Sequence, residues 1–319
     1  MRVVIPGGSG HVGGILARAF RASGDDVVVL SRGGGEGNII WDGRTLGPWA
    51  AAIDGADVVI NLAGRSVNCR YHASNRAEIL QSRVESTRIV GEAIARATQP
   101  PRVWLQASTA TIYAHRYDAP NDEATGIVGN GPGEPDTWHF SIDVATAWER
   151  ALDEAHTPHT RKVAMRTAIV MSPGRGGPFH TLYNVARFGL GGRIGDGRQF
   201  VSWIHDADLV AATRWLIERE DVSGVVNLAA PNPLPYVQFM RTLRRACGMP
   251  LALPATKWMI EMAMLLLRSE SELILKSRRV VPGRLLANGF TFQYPEWPQA
   301  ARELVSRSRS GTARPERRT

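Results

Sequence analysis

Val3-Val4-Ile5-Pro6-Gly7-Gly8-Ser9-Gly10-His11-Val12-Gly13 opens the chain and decides its fold. A β-branched run, a cluster of glycines and then an amphipathic segment read as a strand, a tight loop and a helix. The glycines fit two spacings, Gly8-x-Gly10-x-x-Gly13 and Gly7-x-x-Gly10-x-x-Gly13. Both ask for the same physics. Glycine reaches positive φ and lets backbone N–H groups approach a pyrophosphate, whose charge the start of the helix stabilises. Gly7, Ser9, Gly10, His11, Val12 and Gly13 are therefore candidate dinucleotide-binding residues. The competing reading is a glycine-rich turn without a ligand.

Outward from this loop, short apolar strands alternate with helical patterns. The helix from about His11 to Ser23 stops at Gly24, and Val27 to Leu30 reads as the second strand. Ile39 to Trp41 and Asp57 to Ile60 follow as strands, and a long helix runs from about Ser74 to Ala97 before Pro100-Pro101. Val103 to Ala107 is a fifth strand, Phe140 to Ala155 a helix, and Val163 to Met171 a sixth strand. This alternation predicts an α/β fold, a Rossmann-type doubly wound parallel sheet. After Met171 the texture turns glycine- and proline-rich, with a return to the sheet through a helix at Ala207 to Glu218 and a strand at Val225 to Leu228. The expected division is a dinucleotide-binding domain over 1–172 and 205–230 and a smaller, discontinuous C-terminal lid over 173–204 and 231–305. Residues 306–319 are expected to be a disordered basic tail.

The end of the second strand selects the nucleotide. NAD-selective sites place a carboxylate there for the ribose 2′-hydroxyl, whereas a 2′-phosphate needs a cation. Here the strand ends Leu30-Ser31-Arg32, with no carboxylate until Glu36. Arg32 can grip a phosphate through two hydrogen bonds and Ser31 can donate another, which favours NADP(H). The competing reading of Arg32 is a solvated surface arginine.

Composition narrows the class further. Of 319 residues 44% are hydrophobic and 21% charged, as in ordinary globular proteins. The formal charge of +8 includes five arginines against one glutamate in 306–319, and no zinc, RNA-recognition or helix-turn-helix motif accompanies it. Nucleic-acid binding is therefore not expected. Two isolated cysteines, Cys69 and Cys247, suit a reducing compartment, and no leader pattern is visible, so a cytoplasmic location is expected. The longest apolar stretch, Trp258 to Leu267, is interrupted by Glu261 and is too short to span a bilayer, so no membrane partner is expected. His156 and His159 lack a recognisable third ligand nearby, and no metal site is expected. The expected partner is a small-molecule substrate; nothing in the sequence indicates an oligomer.

The glycine loop together with Asn61-Leu62-Ala63-Gly64 after the fourth strand resembles the extended short-chain dehydrogenase/reductase superfamily. Ser108-Thr109-Ala110-Thr111-Ile112-Tyr113 is similar to its serine/threonine-rich fifth-strand end, and Trp203-Ile204-His205-Asp206-x-Asp208 to its Phe-Ile-His-x-x-Asp segment. More narrowly, Ser82-Arg83-Val84-Glu85-Ser86-Thr87-Arg88, Val226-Asn227-Leu228-x-Ala230-Pro231-Asn232-Pro233 and Arg279-Val280-x-Pro282-x-Arg284-Leu285-Leu286-x-x-Gly289-Phe290 resemble an atypical group of epimerase-family proteins with a C-terminal domain of unassigned function. The resemblance implies that Leu62, Ala63, Gly64, Ala107 and Ser108 line the cofactor and that the Thr109 hydroxyl bonds substrate.

The superfamily's proton-transfer group is Tyr-x-x-x-Lys, and none of the six tyrosines has lysine four residues on. Counting back from Glu149, which resembles the group's marker glutamate, puts Ser141 at the tyrosine position and Ala145 at the lysine position. Serine is a poor acid–base catalyst without an activating neighbour, and His139 is the nearest residue that titrates close to neutrality. Thr109, His139 and Ser141 are thus the candidate catalytic residues. Arg83 stands where extended members carry asparagine; with Thr87 on the same helix face it could bind an anionic substrate group, or form an internal ion pair. Two functions stay open: an NADP(H)-dependent oxidoreductase or epimerase-like enzyme of unknown substrate, and a non-catalytic NADP(H)-binding sensor or partner-binding module.

Overall fold

Val3 and Ile5 point to one face of a sheet and Val4 to the other, and both faces are buried. In a parallel sheet covered on both sides, strands read as continuous apolar runs. The computed structural model describes residues 1–35, 37–129, 136–174, 176–250 and 275–312. Its main sheet is built from β1 (Arg2–Pro6), β2 (Asp26–Ser31), β3 (Asn38–Ile40), β4 (Val58–Asn61), β5 (Val103–Thr109), β6 (Arg161–Thr167) and β10 (Gly224–Leu228). All pairings are parallel, in the order β3-β2-β1-β4-β5-β6-β10.

Helices α1 (His11–Ala22), α2 (Ala73–Arg96), α3 (Asp136–Asp153) and α5 (Asp206–Glu218) clothe this sheet. One face packs Ile15, Leu16 and Phe20 of α1 and Leu209, Ala212 and Leu216 of α5 against Val3, Ile5, Val58 and Ile60. The other face packs Ile89, Val90 and Ile94 of α2 and Leu152 of α3 against Val4, Val59 and Trp104.

The expected sixth strand is split. After β6 the chain turns at Ala168, whose N–H donates to Leu228 O, and β7 (Ile169–Met171) pairs with β9 (Trp203–His205) instead. This shift feeds a second core. Phe179 and Tyr183 of α4 (Pro178–Arg187), Phe239 and Leu243 of α6 (Tyr236–Ala246), Trp203, and Trp297 and Leu304 of α8 (Trp297–Thr312) are buried together. The Phe239 and Trp297 rings stack 4.0 Å apart. A short antiparallel pair, β8 (Phe200–Val201) with β11 (Leu234–Pro235), edges this lobe. Residues 285–292, read from sequence as lid, pack elsewhere. Leu285 of α7 (Gly283–Ala287), Phe290 and Phe292 join the core of the main sheet, with Phe290 edge-on to Trp215 of α5. Among the described residues, no helix is long and apolar enough to cross a membrane.

The expected disordered tail needs correction. Helix α8 continues through residues 306–312, and only 313–319 lie outside the described residues. Arg307 grips both carboxylate oxygens of Asp206, at 3.1 and 2.7 Å, and pairs with Glu303 at 2.6 Å; Arg309 donates to Cys247 O. His205 Nδ1 accepts from Ala207 N, so its Nε2–H donates to Glu303, at 2.9 Å. The Tyr294 ring stacks on His205 at 3.9 Å. The His205-Asp206-x-Asp208 segment thus fastens the C-terminal helix to the main sheet, and Asp208 accepts from Gln293 N and Tyr294 N. Burial pushes the Asp206 carboxyl up, but the hydrogen bonds and charge of Arg307 more than offset this and hold it below the ordinary carboxylate range. Such a group stabilises the fold at neutral pH, and that contribution is lost as pH falls through its depressed value. Arg307→Ala should cost about 1 kcal/mol, less than a fully buried charged bond because solvent screens the partly exposed guanidinium. Thermal denaturation at pH 7 and again below pH 3 checks this: the difference between variant and unmodified protein should shrink in acid.

Candidate functional site

β1 lies between β2 and β4 at the point where strand order reverses, so the loop leaving it opens into the crevice at the carboxyl ends of the strands. Gly7 has φ +77°, and a Cβ there would sit 2.7 Å from Ala63 N; a Cβ on Gly13 would sit 2.5 Å from Gly8 Cα. Both glycines are required by close backbone contact. Gly10 differs: a Cβ on it would meet only Gly7 O, at 3.4 Å, so this part of the loop is open. Gly10 precedes α1, whose first turn has no side-chain cap and no acidic residue. The exposed Ser9–Gly10 edge and the uncapped amides of α1 fit a dinucleotide pyrophosphate. Val12 packs into the core behind. His11 lies against Gly177, where a Cβ would come 2.3 Å from its ring, and its Nε2 is buried with no hydrogen-bond partner among the described residues. Burial, then the charge of Arg18, lowers its pKa, while Asp206 acts in the opposite sense.

Arg32 is exposed just beyond β2 and has no hydrogen bond or ion pair among the described residues. The acids at the far end of β2 are occupied elsewhere, Asp25 with Arg214 and the N-terminal amine and Asp26 beside Arg2. Glu36 lies outside the described residues. Ser31 departs from expectation: it is buried, donates to Ser9 Oγ at 3.1 Å and accepts from Gly33 N. It shapes the glycine loop, and its proton is not aimed at a phosphate.

On the other side of β1, Asn61 is buried, its Oδ1 accepting from Ala63 N and its Nδ2 donating to Gln106. This holds Leu62, Ala63 and Gly64 against the glycine loop. Ala107 is partly buried on the neighbouring strand, and Ser108 donates to Glu149 at 2.5 Å. Glu149 also receives both arms of Arg166, at 2.8 and 2.6 Å. Arg166 bonds the Tyr113 hydroxyl, which donates to Asn227. Burial raises the Tyr113 pKa. The marker glutamate is therefore half of a buried ion pair beneath β5. Thr109 is partly buried and caps the turn that follows, its Oγ1 accepting from Thr111 N and donating to Thr111 Oγ1.

Ser141 and Ala145 lie one turn apart on α3, and Ala145 is fully buried in a cluster with Ala110, Ile112, Tyr113 and Val280. His139 is two residues from Ser141 on the same helix, and residues so spaced do not face each other. The two candidates therefore do not form one proton-transfer pair. Arg83 is partly buried on α2, with Nη1 donating to Arg65 O and Ile79 O, both at 3.0 Å, and its face over Trp148. The alternative ion pair is not formed with any described carboxylate, and burial pulls the guanidinium pKa down to about 10. Thr87 is spent elsewhere: its hydroxyl donates to Arg83 O and accepts from Trp148 Nε1. Sequence reasoning missed Lys276, a fully buried lysine whose Nζ donates to Thr111 O at 3.2 Å. No local motif signals it, because it arrives from 165 residues away. Among the described residues no group of three His, Cys, Asp or Glu could hold a metal.

The profile of the NAD dependent epimerase/dehydratase family matches residues 3–229. The chain belongs to this family. A second profile, a domain of unknown function (DUF1731), matches residues 255–304, of which 255–274 lie outside the described residues. The human epimerase family protein SDR39U1 is 32% identical over 311 residues, covering 96% of this chain and all of that protein. The epimerase family protein YfhF of Bacillus subtilis is 30% identical over 312 residues, covering 96% of this chain and 98% of that protein. The crystal structure of human SDR39U1 (isoform 2) with NADPH superposes with TM-score 0.81 at 31% identity, over 96% of this chain and 99% of that one. A nucleoside-diphosphate sugar epimerase from Corynebacterium glutamicum gives 0.74 at 28% identity, over 98% of this chain and 62% of that one.

The Glu149–Arg166 pair generates a test. Arg166→Met leaves the partly buried Glu149 carboxylate without its counterion and should lower unfolding free energy by about 2 to 3 kcal/mol. Adding Glu149→Gln should restore much of that loss. Urea unfolding of both variants measures it; additive losses would contradict the pairing.

Proposed function

We propose that this epimerase-family protein binds NADP(H) and is an oxidoreductase or epimerase-like enzyme acting on a small carbonyl or hydroxyl substrate, without a Tyr-x-x-x-Lys pair. The observation that carries the cofactor reading is Arg32, a cation with no described partner beyond β2, where no described carboxylate competes for the 2′-position. The NADPH bound to human SDR39U1 supports it. When bound, the dinucleotide would supply hydride transfer. The chain's part is to hold it. Gly7, Gly10 and Gly13 bring backbone close to the pyrophosphate, the α1 amides face its charge, and Arg32 takes the 2′-phosphate. Leu62 to Gly64 and Ala107 border the path toward the ends of β4 and β5.

Fully buried Ala145 at the expected lysine position offers no group to lower a neighbour's pKa. Losing general acid–base help costs about 100- to 10,000-fold in rate. Turnover of simple ketones should accordingly be slow. The same observation favours a second reading, an NADP(H)-binding sensor without catalysis. Steady-state assays with NADPH across a carbonyl panel separate the two. The free thiols Cys69 and Cys247 fit a reducing, cytoplasmic setting.

NADPH should bind at least about tenfold more tightly than NADH, roughly 1.4 kcal/mol or more. Arg32→Ala should erase most of that difference. Fluorescence titration of both cofactors measures it, and equal dissociation constants for the unmodified protein would overturn the assignment.

A further inference from the structure

We propose that Arg83 anchors a carboxylate, so that the substrate taken at this site is a carboxylate-bearing carbonyl or hydroxyl compound. This deepens the function proposed above and rests on it for the neighbouring cofactor. The guanidinium is held from three sides. Nη1 is bound to the carbonyls of Arg65 and Ile79, and Trp148 covers one face at 5.0 Å. Nε and Nη2 have no hydrogen-bond acceptor among the described residues. They form the side-on edge of arginine, two parallel N–H groups whose spacing matches the two oxygens of a carboxylate.

Its charge lacks the acidic partner that Arg65 and Arg44 have. Arg65 binds Glu78 and Asn75, Arg44 binds Glu85, and Arg76 lies over the Phe140 ring. Arg83, like Arg76, has no described counterion, and its charge is met by backbone carbonyls and a ring. A partly buried cation without a counterion is costly, and burial already pulls this one down to about 10. A ligand anion would supply what the fold withholds. One cation with one planar edge suits a monoanionic carboxylate better than a phosphate dianion, which is met by several donors and more positive charge.

Position ties this edge to the reaction. A Cβ on Gly64 would lie 3.2 Å from both Cγ and Cζ of Arg83, so the guanidinium packs directly on this glycine and would have to give by a few tenths of an ångström to admit a methyl group. Ala63, the residue before it, is the one whose backbone the glycine loop touches at Gly7. Arg83 therefore sits one residue along from the cofactor cradle, at the end of β4.

The test is ligand-observed NMR titration of the NADP⁺-loaded protein with pyruvate, lactate and benzoate, each against its primary amide, with inorganic phosphate as a further arm. The expected result is a carboxylate preference over the amide of at least about tenfold. That preference should vanish in Arg83→Met, be partly kept in Arg83→Lys, and leave the NADPH dissociation constant within about twofold. Arg83→Gln, which keeps a polar side chain without the charge, should also lose it and covers the case in which Arg83→Met does not fold. Absence of carboxylate binding across the panel, equal binding of acids and amides, tighter binding of phosphate, or a preference that survives Arg83→Met overturns the proposal. Repeating the titration without cofactor keeps the two readings apart: failure of NADPH to bind refutes the cofactor assignment, while the Arg83-dependent preference is read independently.

Discussion

The architecture depends on two backbones approaching each other more closely than any side chain permits. Gly7 rests against Leu62 and Ala63, and Gly13 against Gly8, so the loop after β1, the turn after β4 and the start of α1 form one rigid unit. That unit exists because the crevice opens where the sheet reverses its order. Asn61 secures it from below through Ala63 N and Gln106, and Ser31 secures it from the side through Ser9. Neither polar residue needs to meet a ligand to be indispensable to ligand binding.

A second layer of polar residues lies beneath β5. Glu149, Arg166, Ser108, Tyr113 and Asn227 form a connected network that ties α3 to three strands. Here α3 is anchored by charge at Glu149 and by apolar packing at Ala145. A helix fixed in this way is held by charged and apolar contacts alike.

Short continuous apolar runs between helical patterns, and the glycine loop, were enough to read the main sheet and its first helices from sequence, because parallel strands buried on both faces leave such runs. Less was legible where the decisive partner is remote. The break at Ala168 depends on Leu228 and on β9, neither of which local pattern encodes. Arg307 looks like part of a solvated basic run until Asp206 is brought beside it, and Lys276 carries no motif at all. Arg83 could be flagged by its position in a family-like segment, yet whether it met a carboxylate or carbonyls was a question of three-dimensional surroundings. His139 illustrates the converse: nearness along a helix is not nearness in space.

The attachment of α8 has a consequence for how the protein is made. Chains fold broadly from the N-terminus as they are synthesised. Every strand of the main sheet has been translated once residue 228 has emerged, but Trp203 and Phe239 find Trp297, and Asp206 finds Arg307, only when the end of the chain is free. Until then a nascent chain would carry the full main sheet, without Leu285, Phe290 and Phe292 in its core, beside an open apolar seam and an unneutralised buried acid. Helix α8 therefore closes the fold late: a chain stalled before residue 297 would keep that seam exposed, for quality-control proteases and chaperones to find.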